Sequence, residues 1–134
     1  MITISGLISA EHKKEILNYA KFCCKEIPIG PRVKILITVS LHGNDNGIVS
    51  QLAANKYEIW LNKALSGRVL WETLGHELCH IKQFLDKRLE IRSGLIYFEG
   101  VSMAAVPYLK RPFEVEARAA GRELWEKRTK LSLD

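Results

Sequence analysis

His76, Glu77 and His80, in the run His76-Glu77-Leu78-Cys79-His80, are the residues of this chain best placed to do chemistry. They lie in an apolar stretch with helical spacing. On a helix each residue advances by about 100°, which puts His80 roughly 40° and Glu77 roughly 100° from His76. All three side chains then look the same way. Two imidazoles one turn apart can grip a single divalent cation, and the carboxylate beside the first can deprotonate a water held on it. Such a short pattern also turns up by chance in proteins with no metal, so a third protein ligand decides the reading.

Two places could supply it. Asp86 follows His80 closely, at the spacing some short zinc peptidases use after a helix-breaking glycine, but Gln83 stands where that glycine would be. Without a breaker the helix runs on, and Asp86 falls roughly 280° around it, as a solvated residue. The other place is the acidic pair in Arg111-Pro112-Phe113-Glu114-Val115-Glu116-Ala117. With Phe113 at zero, Ala117, Ala120, Gly121, Leu124, Trp125 and Leu131 form one apolar arc, and Glu114, at roughly 100°, lies inside it. Glu116 joins Glu123, Lys127 and Lys130 on the polar side. A carboxylate on a buried face is costly unless something pairs with it, and a cation is one such partner. Glu114 is the expected third ligand, with Glu116 as the alternative.

The two motifs together, His76-Glu77-Leu78-Cys79-His80 and Pro112-Phe113-Glu114-Val115-Glu116-Ala117, resemble the gluzincins, whose third zinc ligand is a glutamate on a separate downstream helix. In that family an alanine and then a polar residue follow the ligand glutamate, here Ala117 and Arg118. The polar residue is usually an aspartate that orients a ligating histidine, so Arg118 is a departure and leaves the orienting group open. The continuation His80-Ile81-Lys82-Gln83 and the short chain are similar to the minimal gluzincins, including metallopeptidases encoded by phages. The likeness covers residues 57–126. It implies a small zincin-like α+β domain with a short mixed sheet, an edge strand beside the signature helix, and helices at both ends. It implies one zinc ion per chain held by His76, His80 and Glu114, and a peptide or protein substrate hydrolysed with Glu77 as general base.

Two rivals stand beside that metallopeptidase. One is a zinc-binding interaction or regulatory module of the same fold without turnover, against which Glu77 argues, since holding a metal needs only the ligands. The other is a nucleic-acid-binding protein in which the signature is accidental. The net charge of +5 comes from 20 basic against 15 acidic residues. The basic residues are scattered and no aromatic-interleaved basic stretch accompanies them, which disfavours nucleic acid.

The elements that must position these residues can be read in outline. Ser9 before Ala10-Glu11, with Ile16, Leu17, Ala20, Cys23, Cys24 and Ile27, predicts an N-capped amphipathic helix stopped at Pro28. Val33 to Val39 is β-branched and of strand length. Ile48 to Leu52 and Tyr57 to Leu61 pair as a hairpin, and Tyr57-Glu58-Ile59-Trp60-Leu61 takes the place of a substrate-binding edge strand. Ser66-Gly67 opens the signature helix, which is apolar over most of its circumference and therefore central. Residues 87–111 read as irregular with one short strand at Leu95 to Phe98. Pro112 starts a last helix reaching about Thr129.

A chain of 134 residues, 47% hydrophobic and 26% charged, fits one domain over residues 1–134 and a monomer. Three cysteines, two adjacent, form no disulfide framework, and Met1 to Ala10 lacks the features of a signal peptide. No apolar run approaches the ~20 residues of a membrane span. The expectation is a reducing, cytoplasmic setting. A virus- or phage-encoded chain released by lysis reads the same.

Around the site, Tyr97, Tyr108 and His42 are candidate donors to the oxyanion of a tetrahedral intermediate. Gln83 can hydrogen-bond behind a ligand or lie on polar helix surface, and Gly75 can admit a strand or substrate close to His76. Cys79, Cys23 and Cys24 read as packing, and His12 as solvated. The tail from Lys127 to Asp134 reads as a frayed terminus rather than an inhibitory segment over the cleft.

Overall fold

A computed structural model describes residues 1–41 and 44–133, in an α+β arrangement of three helices and two sheets. Strand β1 (Ile2–Gly6) leads into α1 (Ala10–Glu26), whose cap is the expected one: the Ser9 hydroxyl accepts the His12 N–H at 3.1 Å. Then come β2 (Lys34–Ser40), β3 (Gly47–Ala53), β4 (Lys56–Asn62) and the signature helix α2 (Gly67–Leu85). A second group of strands follows: β5 (Leu89–Arg92), β6 (Leu95–Phe98) and β7 (Val101–Ser102). One 3₁₀ turn at Tyr108–Lys110 precedes α3 (Pro112–Leu133).

The first sheet has the order β1-β2-β4-β3, with β1, β2 and β4 mutually parallel and β3 antiparallel to β4. Period-two alternation sends Ile35, Ile37 and Val39 of β2 and Tyr57, Ile59 and Leu61 of β4 into one core with Ile16, Ala20, Leu74 and Leu78 of the helices. The opposite face of these strands is only half-buried, as expected of a sheet covered on one side. The Tyr57–Leu61 strand is therefore not an edge. It is paired on both sides, which is why its alternating side chains are fully buried, and the edge beside α2 is the less apolar β3.

Residues 87–111 are more ordered than their sequence suggests. Strands β5, β6 and β7 form an antiparallel meander. Each of its turns carries two consecutive residues in the left-handed region, Ser93-Gly94 and Glu99-Gly100. That is the mirror-image turn geometry whose twist matches paired strands. Leu89, Phe98 and Met103 of this segment pack with Phe113 into a small second core over the C-terminal end of α2.

Helix α3 lies along α2, and the contact is set by two glycines. A methyl group at Gly121 would sit 2.4 Å from the Glu72 carbonyl oxygen, and one at Gly75 would sit 3.2 Å from the Gly121 Cα. Gly75 thus admits α3, not a strand or a substrate. The tail is neither frayed nor over the cleft among the described residues. It continues α3 to Leu133, with Lys127 paired to Glu26 and Arg128 over the Phe22 ring. Among the described residues no helix is long and apolar enough to cross a membrane.

Candidate metal centre

Buried apolar residues hold α2 rigidly against the sheet, and its His76, Glu77 and His80 donor atoms all lie within 4.8 Å of one another. This group can hold a metal ion. From α3, 38 positions away in sequence, Glu114 reaches in and sets one oxygen 3.0 Å from His76 Nε2. The same Oε1 stands 2.7 Å from His80 Nε2, and the two Nε2 atoms are 3.1 Å apart. Three donors around a zinc-sized cation at ~2.0–2.1 Å in tetrahedral geometry stand ~3.3 Å from one another. The cluster would need to open by only a few tenths of an ångström, so the residues fit such an ion. Glu77 Oε1 is 4.0 Å from His76 Nε2, beside the triad rather than within it.

The remaining candidates lie elsewhere. Asp86 caps the end of α2 and pairs with Lys82 at 3.1 Å, as its helical position predicts. Glu116 is turned from the imidazoles toward Arg88, which donates to both carboxylate oxygens at 2.8 Å. Cys79 is a buried thiol, pushed up to about 12 chiefly by burial, and all three cysteines are free. His12 packs edge-on to Trp71, with ring centroids 6.4 Å apart.

Gln83 settles how His80 is oriented. Its side chain is 1% exposed, its amide nitrogen donates to the Phe113 carbonyl and to Glu116 Oε1, both at 3.0 Å, and this fixes the amide's direction. The amide oxygen then faces His80 Nδ1 at 2.8 Å and can only accept, so Nδ1 carries the proton and Nε2 points at the cluster. Arg118 has a separate task, donating to the Leu109 carbonyl at 2.8 Å and steadying the 3₁₀ turn.

No known family, curated protein or solved structure matches this chain.

That steadied turn carries Tyr108, whose hydroxyl is raised to about 12, first by burial and then by its hydrogen bond to Glu114. Of the three candidate oxyanion donors, Tyr108 is at the cluster and Tyr97 lies under the Arg92 guanidinium at 4.9 Å. His42 lies outside the described residues.

The charges in the cluster shape one another. Burial alone would raise the Glu114 carboxyl, but hydrogen bonds from His76 and His80 outweigh it and hold the group well below the usual carboxylate range. His80 runs the other way: burial would lower it, and Glu114, Glu77 and Gln83 together raise it. Glu77 is pushed up by burial against the pull of His80 and His76, in the direction that suits a proton acceptor working near neutral pH.

One participant had almost no signal in the sequence. Gly47, the first residue of β3, passes so close to α2 that a methyl group there would meet Thr73 at 2.9 Å and Glu77 at 3.2 Å. The Asn46-Gly47 pair marks a turn, but the partner that makes glycine necessary is far away in the chain. Among the described residues β3 pairs only with β4, so its outer backbone edge is unpaired, and Gly47, Ile48 and Val49 line the cleft with Glu77 and His80.

Proposed function

We propose that this chain is a zinc-dependent metallopeptidase of gluzincin type, with a zincin-like fold, one zinc per chain and a peptide or protein substrate. The observation that carries the reading is the meeting of Glu114 with His76 and His80 at 2.7–3.0 Å from a separate helix, with Glu77 buried beside them. A structural ion pair would account for two of these groups. It gives no reason for a second, desolvated carboxylate next to the same imidazoles.

His76, His80 and Glu114 would hold the metal, which would supply Lewis acidity toward the substrate carbonyl and the attacking water. Glu77, with its raised affinity for protons, takes one from the attacking water and passes it to the leaving amine. Tyr108 is placed to donate to the oxygen that becomes negative as the carbonyl is attacked. The open edge of β3 pairs with the substrate backbone and aligns the scissile bond with the cluster. Gln83 keeps His80 in the tautomer whose Nε2 is free to ligate.

Metal analysis of the purified protein should find about one zinc per chain. Glu77→Gln should retain that zinc and lose peptide hydrolysis by a factor of about 10² or more, whereas Glu114→Ala should lose the metal. Turnover by Glu77→Gln at the unsubstituted rate would refute the mechanism. A zinc-loaded protein that cleaves nothing in a diverse peptide library would favour the silent binding module.

A further inference from the structure

The cleft beside the cluster has two unlike halves, and they meet at Asp45, Gly47, Glu77 and Tyr108. Toward the C-terminal end of α2 the walls are apolar: Val49, Phe84, Leu89, Ile96 and Phe113. Toward its N-terminal end the walls bring in Glu72 and Thr73 of α2 and Arg118 and Arg122 of α3. Glu72 is engaged by Arg68 at 3.3 Å. Arg118 spends one N–H on a neutral backbone carbonyl, and exposed Arg122 has no hydrogen-bond or ion-pair partner among the described residues. Two further acids line this half, Glu77 and, in the turn that leads into β3, Asp45, and among the described residues neither pairs with Arg118 or Arg122. The two guanidinium groups of α3 are thus left without an ion-pair partner among the described residues.

The direction of β3 turns this asymmetry into a substrate register. Passing from Asn44 to Val49 the chain moves from the half that carries the arginines to the apolar half. Antiparallel pairing is the commoner geometry for an added strand. A peptide so paired on the open edge of β3 enters over the apolar half and leaves over the arginines.

Resting on the peptidase reading above, we infer that the site selects extended peptides with an apolar residue before the scissile bond and a carboxylate just after it. That carboxylate is either an acidic side chain or the peptide's own C-terminus. The arginines serve as a specificity element that ordinary surface residues would not provide. Arg122 in particular stands beside the cleft, one turn beyond Arg118 on the same helix face, with no hydrogen bond or ion pair among the described residues that would explain it.

Binding to the Glu77→Gln protein, loaded with zinc, separates recognition from turnover. Fluorescein-labelled peptides share an apolar N-terminal half and differ after it: an acidic residue with an amidated end, alanine with a free carboxylate end, alanine with an amidated end, and lysine with an amidated end. By anisotropy, one or both carboxylate-bearing peptides should bind about fivefold tighter than the amidated alanine peptide, and the lysine peptide weaker still. Which of the two binds tighter tells side chain from terminus. Adding Arg122→Gln should erase most of the preference, and Arg122→Glu should reverse it in favour of lysine. Equal affinity for all four peptides, or a preference untouched by both substitutions, overturns the inference. Carboxylate-selective binding with no cleavage by the unsubstituted protein would instead overturn the peptidase reading while the selectivity stands.

Discussion

Substituting Gly121 by alanine should weaken metal binding while leaving the protein folded. The added methyl group would stand 2.4 Å from the Glu72 carbonyl oxygen and 3.2 Å from the His76 backbone nitrogen. Ordinary carbon contacts are ~3.5 Å or more, so α3 must back away from α2 by about 1 Å. Overpacking of this kind costs about 1–3 kcal/mol, offset by about 1 kcal/mol because alanine is the better helix former. The net loss of about 0–2 kcal/mol lowers the midpoint of thermal unfolding by up to about 10 °C. Glu114 rides on the same helix, and its carboxylate must meet two imidazoles fixed on the other. A displacement of that size should weaken zinc binding by about 10–100-fold, the range seen when ligand-supporting contacts are lost. Competition with a chromophoric chelator measures the affinity, and thermal unfolding of the chelator-treated protein measures the fold. Unchanged zinc affinity in a folded Gly121→Ala protein would refute the idea that this glycine pair sets the position of Glu114.

Gln83→Leu should keep the volume but strip three hydrogen bonds, leaving His80 Nδ1 and the Phe113 carbonyl unpaired; zinc affinity should fall by about 10–100-fold, with a mixed His80 tautomer by nitrogen-15 NMR. Stability after chelation should depend on pH in a defined window. His80 is raised, so its contribution is complete below its ordinary value of 6.5 and lost as pH rises through the folded value; Glu114 is lowered, so its contribution is present above 4.5 and lost as pH falls through its folded value. Glu77, also raised, contributes stability that is complete below 4.5 and lost as pH rises through its folded value. Denaturant unfolding of the chelated protein should therefore be hardest in mildly acidic solution and become easier as pH rises, and zinc should reduce that decline; a chelated protein that gains stability above neutral pH would contradict this.

What the sequence reveals depends on how local the cause is. The Ser9 cap, the signature helix and the start of α3 at Pro112 are visible because each rests on neighbours a turn or two away. The helical period also places Glu114 on the buried face of α3, where the structure has it. Strand β1 carries the same kind of signal in Ile2-Thr3-Ile4-Ser5, a plain alternation that reading for a leader segment passes over. Of the meander only the middle strand, Leu95–Phe98, was legible, because the four residues of β5 and the two of β7 are too few for periodicity to show. Gln83, Gly47 and Gly121 have no local signature. Each is needed by an atom on another element, and only the folded chain brings those atoms near.

The ladder that runs from Arg88 through Glu116 and Gln83 to His80 ties the base of the meander to an imidazole. Side chains of that meander, Leu89 and Ile96, also form one wall of the cleft. Whatever presses on this wall is therefore felt at the imidazole through links that bend less readily than a loop. Redesigning the wall to accept other residues is then safe at outward positions such as 91, while disturbing the guanidinium at its foot would detune the centre itself.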